Sequence, residues 1–272
     1  MKDQFHEFYM TLGEKYPEDC IVYNTLSGIL RKKWILEKLE TMPAGNLLDC
    51  GCNIGTLSKA WRRGRVLGVD ISLAVLRRGK KNAPRTDFIQ ADLRDLGMFR
   101  EESIDNAIAC EVVEHLDKPN LFFCHLAGVI KKGGRVLVTA PNFSRFRPTL
   151  VPLGIIKSFG VTKGTAGETY LHTAYRPEEL AAMAKEAGFT IVEQGSFEHE
   201  LRGWLKPLNI LEKLLGMLSV QFFPVSRFNQ LIARAINLLE INAYTILETL
   251  FLSRILKHVF KQGRRSYILA EK

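Results

Sequence analysis

Asn46-Leu47-Leu48-Asp49-Cys50-Gly51-Cys52-Asn53-Ile54-Gly55 is the stretch on which the fold turns. A short apolar run closed by a carboxylate leads into a turn with glycine at 51 and 55. A strand that runs through such a turn into a helix opens a parallel α/β sheet. Working outward, RVLGVD (65–70) reads as a second strand and SLAVLRRGKKN (72–82) as a helix with Ser72 as its N-cap. A helix is also expected from Thr56. TDFIQAD (86–92) and IDNAIACEV (104–112) read as strands three and four. A helix over about 118–131 is broken by Gly133-Gly134, and RVLVTAP (135–141) is a fifth strand. Buried strands spaced by helical segments predict a parallel sheet with helices on both faces.

The remainder is less regular. Residues 143–170 read as loop, RPEELAAMAKEAG (176–188) as a helix with Pro177 in its first turn, and FTIVEQGSF (189–197) as a strand. Residues 201–262 look helical and apolar, and RSYILAEK (265–272) reads as a last strand. The expected fold class is α/β: a Rossmann-like, doubly wound seven-stranded sheet, mostly parallel with an antiparallel last strand, plus inserted helices. The expected organisation is a single domain over 1–272. It has an N-terminal helical lid (1–40), a core (41–198 and 265–272) and inserted amphipathic helices (199–264).

Composition narrows the class. An apolar content of 46% and a charged content of 25% exclude wholesale disorder. Five cysteines without a CxxC pair fit free thiols in a reducing compartment. No leader is visible at the start, and no apolar run reaches the ~18 residues of a membrane span. A cytoplasmic protein is expected. The net charge of +9 asks for an anionic partner, and its location matters. Residues 201–265 hold ten basic and three acidic residues, so +7 of the +9 sits there.

In an open α/β sheet, ligands bind at the carboxyl ends of the strands. There Asp49 can meet a cationic amino group, beside glycines that admit close approach. Asp70 can accept both hydroxyls of a ribose, and Asp92-Leu93 offers an acceptor for an adenine amino group beside an apolar contact. Glu111-Val112-Val113-Glu114-His115-Leu116 follows strand four. A nicotinamide dinucleotide site would want G-x-G-x-x-G, and Asn53 stands where its second glycine would be.

Together these motifs resemble the class I S-adenosylmethionine-dependent methyltransferases over residues ~40–198 and the last strand. The resemblance implies S-adenosyl-L-methionine as cofactor. Asp49, Gly51, Cys52, Asn53, Gly55 and Glu111 would form its methionine end, with Asp70 and Ile71 at the ribose and Asp92 and Leu93 at the adenine. Asn53 departs from the common glycine, but Asn tolerates positive φ best among other residues. The stretch from Thr139 to Phe189, with Lys163-Gly164-Thr165, His172 and the Arg176-Pro177 helix start, is similar to ubiquinone-biosynthesis O-methyltransferases, with a gap before His172. That resemblance points to O-methylation of a small, apolar or lipid-like acceptor.

His115 is the expected catalytic base, titrating near neutrality beside the sulfonium position. Packing of the following helix is the alternative for it. Glu114 could be a solvated charge at a helix start. Glu111, Glu114 and His115 could ligate a metal, but with no second ligand cluster in the sequence no metal is expected. His172 and Tyr175 are expected substrate-binding residues, with helix capping as the alternative. Nucleic acid is not the expected acceptor, since the turn after strand four lacks Asn/Asp-Pro-Pro-aromatic and the basic residues lack interleaved aromatics. An RNA methyltransferase and an inactive cofactor-binding scaffold stand as alternatives.

The basic stretch itself is amphipathic. Leu231, Ile232, Ala235, Ile236, Leu239, Ala243, Ile246, Leu250 and Phe251 recur at helical spacing, opposite Arg234, Asn237, Thr245 and Glu248. Two readings stand open: a lid or homodimer surface in a cytosolic small-molecule methyltransferase, or a peripheral contact with an anionic membrane.

Overall fold

The computed structural model describes residues 4–16, 22–143, 146–147, 149–199, 201, 226–250 and 261–272. Seven strands make the main sheet: β1 (Leu47–Cys50), β2 (Val66–Asp70), β3 (Thr86–Gln90), β4 (Ile104–Cys110), β5 (Ile130–Pro141), β8 (Thr190–Phe197) and β9 (Arg265–Glu271). Their order is β3-β2-β1-β4-β5-β9-β8, with β9 antiparallel to both neighbours and the β3-to-β5 pairs parallel. The expected fold class therefore holds. Strand order reverses between β1 and β4, which opens the crevice where α/β sheets bind ligands.

The period of two along each strand sorts the core. Leu47, Ile108, Leu137 and Leu269 face one side, packed by Ile35 and Leu39 of α2 (Leu26–Glu40). Leu48, Val136, Val138 and Ile268 face the other, under Phe122, Phe123 and Leu126 of α4 (Pro119–Val129) and Leu180 and Ala184 of α5 (Pro177–Glu186). Phe122 and Phe123 are fully buried, and truncating either to alanine would cost about 3–5 kcal/mol. α3 (Leu73–Asn82) covers β2 and β3, with Val75 and Leu76 against Phe88.

Several local expectations change. From Thr56 only a 3-10 turn forms, Ser58–Ala60. α4 ends at Val129, and Gly133-Gly134 lies inside β5, beside a register shift between Ile104 and Asn106. Ser72 occupies the N-cap of α3 without a side-chain cap bond; its backbone N–H donates instead to Asp70 Oδ1 at 2.9 Å. Within 143–170, β6 (Leu150–Pro152) pairs antiparallel with β7 (Thr169–Leu171), and a 3-10 helix spans Gly154–Phe159.

The stretch expected as a lid, 1–40, divides in function. α2 is a layer of the core, because its apolar stripe matches the sheet. Among the described residues of this stretch, α1 (Gln4–Lys15) crosses the ligand side, and the start of α2 borders it. Phe8 of α1 joins Leu153, Ile156 and Val161 in a small separate core.

Of the stretch 199–264, residues 200, 202–225 and 251–260 lie outside the described residues. The described helix is α6 (Ser226–Thr249). Its docked face is not the one the apolar pattern predicts. Asn237 bonds the backbone at the start of α2, Tyr244 and Ile241 pack with Leu26 and Leu201, and Glu248 pairs with Lys33 at 3.8 Å. These positions follow helical spacing, whereas Leu238, Leu239, Ile246 and Leu250 are 60–61% exposed. Two groups assigned to the polar stripe, Asn237 and Glu248, thus face the protein. Asn237 takes its place because the first N–H groups of a helix lack helical partners. Among the described residues no helix is long and apolar enough to cross a membrane.

Candidate active site

A cavity of about 770 Å³ opens over the carboxyl ends of β1, β2 and β4. Its floor begins with the turn after β1. Gly51 has φ +70°, and a Cβ there would lie 2.5 Å from Val112 Cγ2, so only glycine fits without displacement. Asn53 takes φ +48°, and its N–H donates to Asp70 Oδ2 at 2.9 Å. With Ser72 on the other oxygen, two backbone donors hold the Asp70 carboxylate at the end of β2. Burial raises the Asp70 pKa, opposed by these bonds and by Arg78. Asp49 is buried, and its Oδ2 has no partner among the described residues. Burial lifts its pKa to about 7, helped by the charge of Asp70 and opposed by the Ser58 hydroxyl.

Glu111 is a strained residue, with φ +59°. Its N–H donates to Thr139 O at 3.1 Å, and its carboxylate meets Arg265 Nε at 2.6 Å and Arg31 Nη1 at 3.4 Å. Burial opposes its ionisation, but Arg265, Arg31 and the Thr139 hydroxyl together hold the pKa below the usual carboxylate range. Arg31 also reaches Glu198 Oε1 at 3.1 Å, so buried charges at this end come in opposed pairs.

Glu114 is 1% exposed, which overturns its reading as a solvated helix-start charge. Its Oε2 has no partner among the described residues, and burial, then the charge of Glu111, raises its pKa well above the ordinary value. His115 Nε2 stands 3.8 Å from Glu114 Oε1, while His115 Nδ1 lies 3.2 Å from Leu171 O. The His172 ring lies 5.1 Å from that of His115. Burial, then His172, lowers the His115 pKa to about 4, and burial lowers that of His172. Both imidazoles are therefore neutral at pH 7.

Donor atoms of Glu114, His115 and His172 lie within 4.8 Å of one another. The expectation of no metal rested on a missing further ligand, and the fold supplies one from the β7 end. A carboxylate with two neutral imidazoles is a donor set for a divalent cation.

The roof is aromatic. Phe5 and Tyr9 of α1 and Tyr170 of β7 line the cavity, with Tyr9 edge-on to His115 at 5.6 Å and Phe8 stacked on Tyr170 at 5.4 Å. Gln4 Nε2 donates to Gly164 O at 3.1 Å and Lys15 Nζ to Gly160 O at 2.9 Å, tying α1 to the β6–β7 segment. Arg78 Nη1 donates to Gly13 O at 3.0 Å, tying it to α3.

Of the residues singled out in the sequence, Asp49, Gly51, Cys52, Asn53, Asp70, Ile71, Asp92, Leu93, Glu111, His115 and His172 line this cavity together. Asp92 does so while held by Arg94, whose Nη2 is 2.6 Å from Oδ2 and whose guanidinium covers Phe5. Two do not line it. Gly55 stands behind the loop against Ala83 and Phe88. Tyr175, expected to bind substrate, is 7% exposed and packs in the main core rather than lining the cavity, and its N–H donates to Pro141 O. Arg31, Arg265, Tyr9 and Tyr170 line the cavity without having been singled out for it. No local pattern marks them: each arrives from an element distant in sequence.

Sheet order, carboxylates at successive strand ends and a cavity beneath an aromatic roof fit an S-adenosylmethionine-dependent methyltransferase. Residues 48–138 match a methyltransferase domain family. The chain is similar to the ubiquinone biosynthesis O-methyltransferase of Acinetobacter baumannii (strain AYE), 28% identical over 189 residues, or 65% of this chain and 78% of that protein. It is also similar to the enzyme of the same name from Bordetella avium (strain 197N), 26% identical over 205 residues, or 73% and 81%. Among solved structures, phosphoethanolamine N-methyltransferase 2 of Haemonchus contortus, in complex with S-adenosyl-L-methionine, shares the fold. Its TM-score is 0.54 at 18% identity, covering 100% of this chain and 57% of that one.

Proposed function

We propose that this enzyme methylates a hydroxyl, most simply a phenol, on a lipid-like acceptor that it meets at a membrane surface. The observation that carries the reading is the division of the cavity: a floor of buried carboxylates and an aromatic roof, with His115 and His172 between them. S-adenosylmethionine supplies an electrophilic methyl group on a sulfonium. The chain's residues do the rest. Asp49, with its unpartnered buried oxygen, suits a cationic amino group; Asp70 suits a ribose diol; and the Gly51 turn leaves room for both. Tyr9 and Tyr170 would hold a flat acceptor against His115 and exclude water.

His115 is placed to take the acceptor proton: the Leu171 carbonyl can hold its Nδ1–H and leave Nε2 as the acceptor. A pKa near 4 makes it a weak base for a phenol. The Glu114, His115 and His172 set therefore favours a second reading, in which these three residues would hold a divalent cation whose Lewis acidity would lower the pKa of the acceptor hydroxyl.

Membrane contact is supported by what surrounds the mouth. Val151 lines the cavity, and Leu150 beside it is 49% exposed; Phe146, next to Arg147 in the chain, is 80% exposed. The outward apolar face of α6 and the basic residues of 201–265 point the same way.

The test presents a phenol with an apolar tail in anionic and in zwitterionic vesicles, with labelled cofactor. O-methyl product, formed faster on anionic vesicles, is expected. Label appearing only in soluble amines would replace the acceptor assignment, and equal rates on both vesicles would remove the membrane. Chelation that abolishes turnover, restored by a divalent cation, would select the second reading of the histidine cluster.

A further inference from the structure

The start of α2 forms one wall of the cavity: Val22, Tyr23, Thr25 and Arg31 all line it. A helix start is a weak place to build a wall, because its first N–H groups lack helical partners. Here the junction is bound from three sides. Thr25 is the N-cap, and its hydroxyl oxygen accepts from Gly28 N–H at 3.1 Å. The preceding turn folds so closely onto the helix that a Cβ at position 28 would lie 1.9 Å from Val22 O. The third bond set comes from α6, 211 residues away in sequence. Asn237 Oδ1 accepts from Leu26 N–H at 3.3 Å, and Asn237 Nδ2 donates to Asn24 O at 2.7 Å. One amide thus spans the junction, with Tyr244 and Leu201 sealing it against Leu26.

We propose that Asn237 is a positioning residue for cofactor binding: the inserted helix acts as a brace that fixes the α2 start, and with it the cavity wall and Arg31. Arg31 is the link to the chemistry. It is buried and divides its guanidinium between Glu198 and Glu111, so a small shift of the first turns of α2 changes the charge balance at the strained Glu111. The amide chemistry is well matched, since an asparagine serves one donor and one acceptor at once and no apolar residue could.

The test is titration of the full-length variant with S-adenosylhomocysteine, alongside steady-state kinetics. Asn237→Ala should weaken binding roughly tenfold, because the ligand must then order the α2 wall that the amide no longer holds. The KM for cofactor should rise in proportion, with kcat at saturating cofactor within about twofold. Asn237→Asp keeps the acceptor toward Leu26 and loses the donor toward Asn24, so it should fall between wild type and alanine. It also carries the test if the alanine variant does not fold. Thr249→Ala, on the same helix with its hydroxyl donating to Thr245 O, is the control and should bind as wild type. A lowered melting midpoint with unchanged affinity in both Asn237 variants would overturn the proposal, as would an equal loss in the control. Wild-type protein that fails to bind S-adenosylhomocysteine would instead reject the cofactor assignment.

Discussion

The floor and the roof of the cavity are built by different rules. On the floor, Asp49, Asp70 and Glu111 stand at the ends of hydrogen-bonded strands, within one residue of the last ladder position. Their backbones are fixed by the sheet, and Asp70 is further held by two N–H donors. The roof is a packing of side chains from α1 and the β6–β7 segment around Phe8, Leu153, Ile156 and Val161. Side-chain bonds from Gln4, Lys15 and Arg78, among others, fasten it. A rigid floor suits a cofactor that never changes, and a roof held by packing can be reshaped for an acceptor without disturbing the sheet.

If that division is real, floor and roof variants should fail separately. The largest effect is expected from Asp70→Ala, which should weaken S-adenosylhomocysteine binding about 100-fold by removing charge-assisted bonds to two hydroxyls. An affinity within about threefold of wild type, measured by calorimetry, would remove the ribose role and with it the preorganised floor.

Next comes pH. Asp49 has a folded-state pKa of about 7, above the model-peptide value of 3.8. Free protein therefore binds more protons than the unfolded chain between those values, and this group's contribution to stability falls as pH rises through that window. A cationic amino group selects the ionised form, so ligand affinity should rise by up to about tenfold per pH unit below 7 and level above it. Asp49→Asn should flatten the profile; a profile unchanged by that substitution would move the amino group elsewhere.

A smaller, severalfold effect is expected on the roof. Tyr170→Ala should raise the acceptor KM by about 0.5–1.5 kcal/mol worth of lost ring contact while leaving cofactor affinity intact. A matching loss of cofactor affinity would erase the floor-and-roof division. Least affected should be Glu248→Ala. Its pair with Lys33 at 3.8 Å is half exposed on both sides, so stability should move by less than about 0.5 kcal/mol in denaturant titration. Set beside Asn237→Ala, it separates the brace from the rest of the α6 contact.

The same division explains what could be read in advance. Strand ends and the carboxylates on them are local features, so the turn at Asp49–Gly55, Asp70, Asp92 and Glu111 could be placed from alternation and turn chemistry alone. The burial of Tyr175 could not be foreseen, because its place before α5 is equally compatible with a cavity and a core. Glu114 was misread because sequence carries no record of burial by β7. The face of α6 that docks could not be foreseen, because apolar spacing counts side chains, whereas the partner at the start of α2 is backbone that needs an amide.

By itself the sequence determined the strands and the line of carboxylates, since each depends on residues close together in the chain, and its resemblance to a known family pointed to the cofactor. Tertiary structure alone decided the meeting of Glu114, His115 and His172, the pairing of Arg31 and Arg265 on Glu111, and the aromatic roof. Those depend on which distant segments are brought within a few ångströms. That is settled by the packing of whole elements, and no local spacing records it.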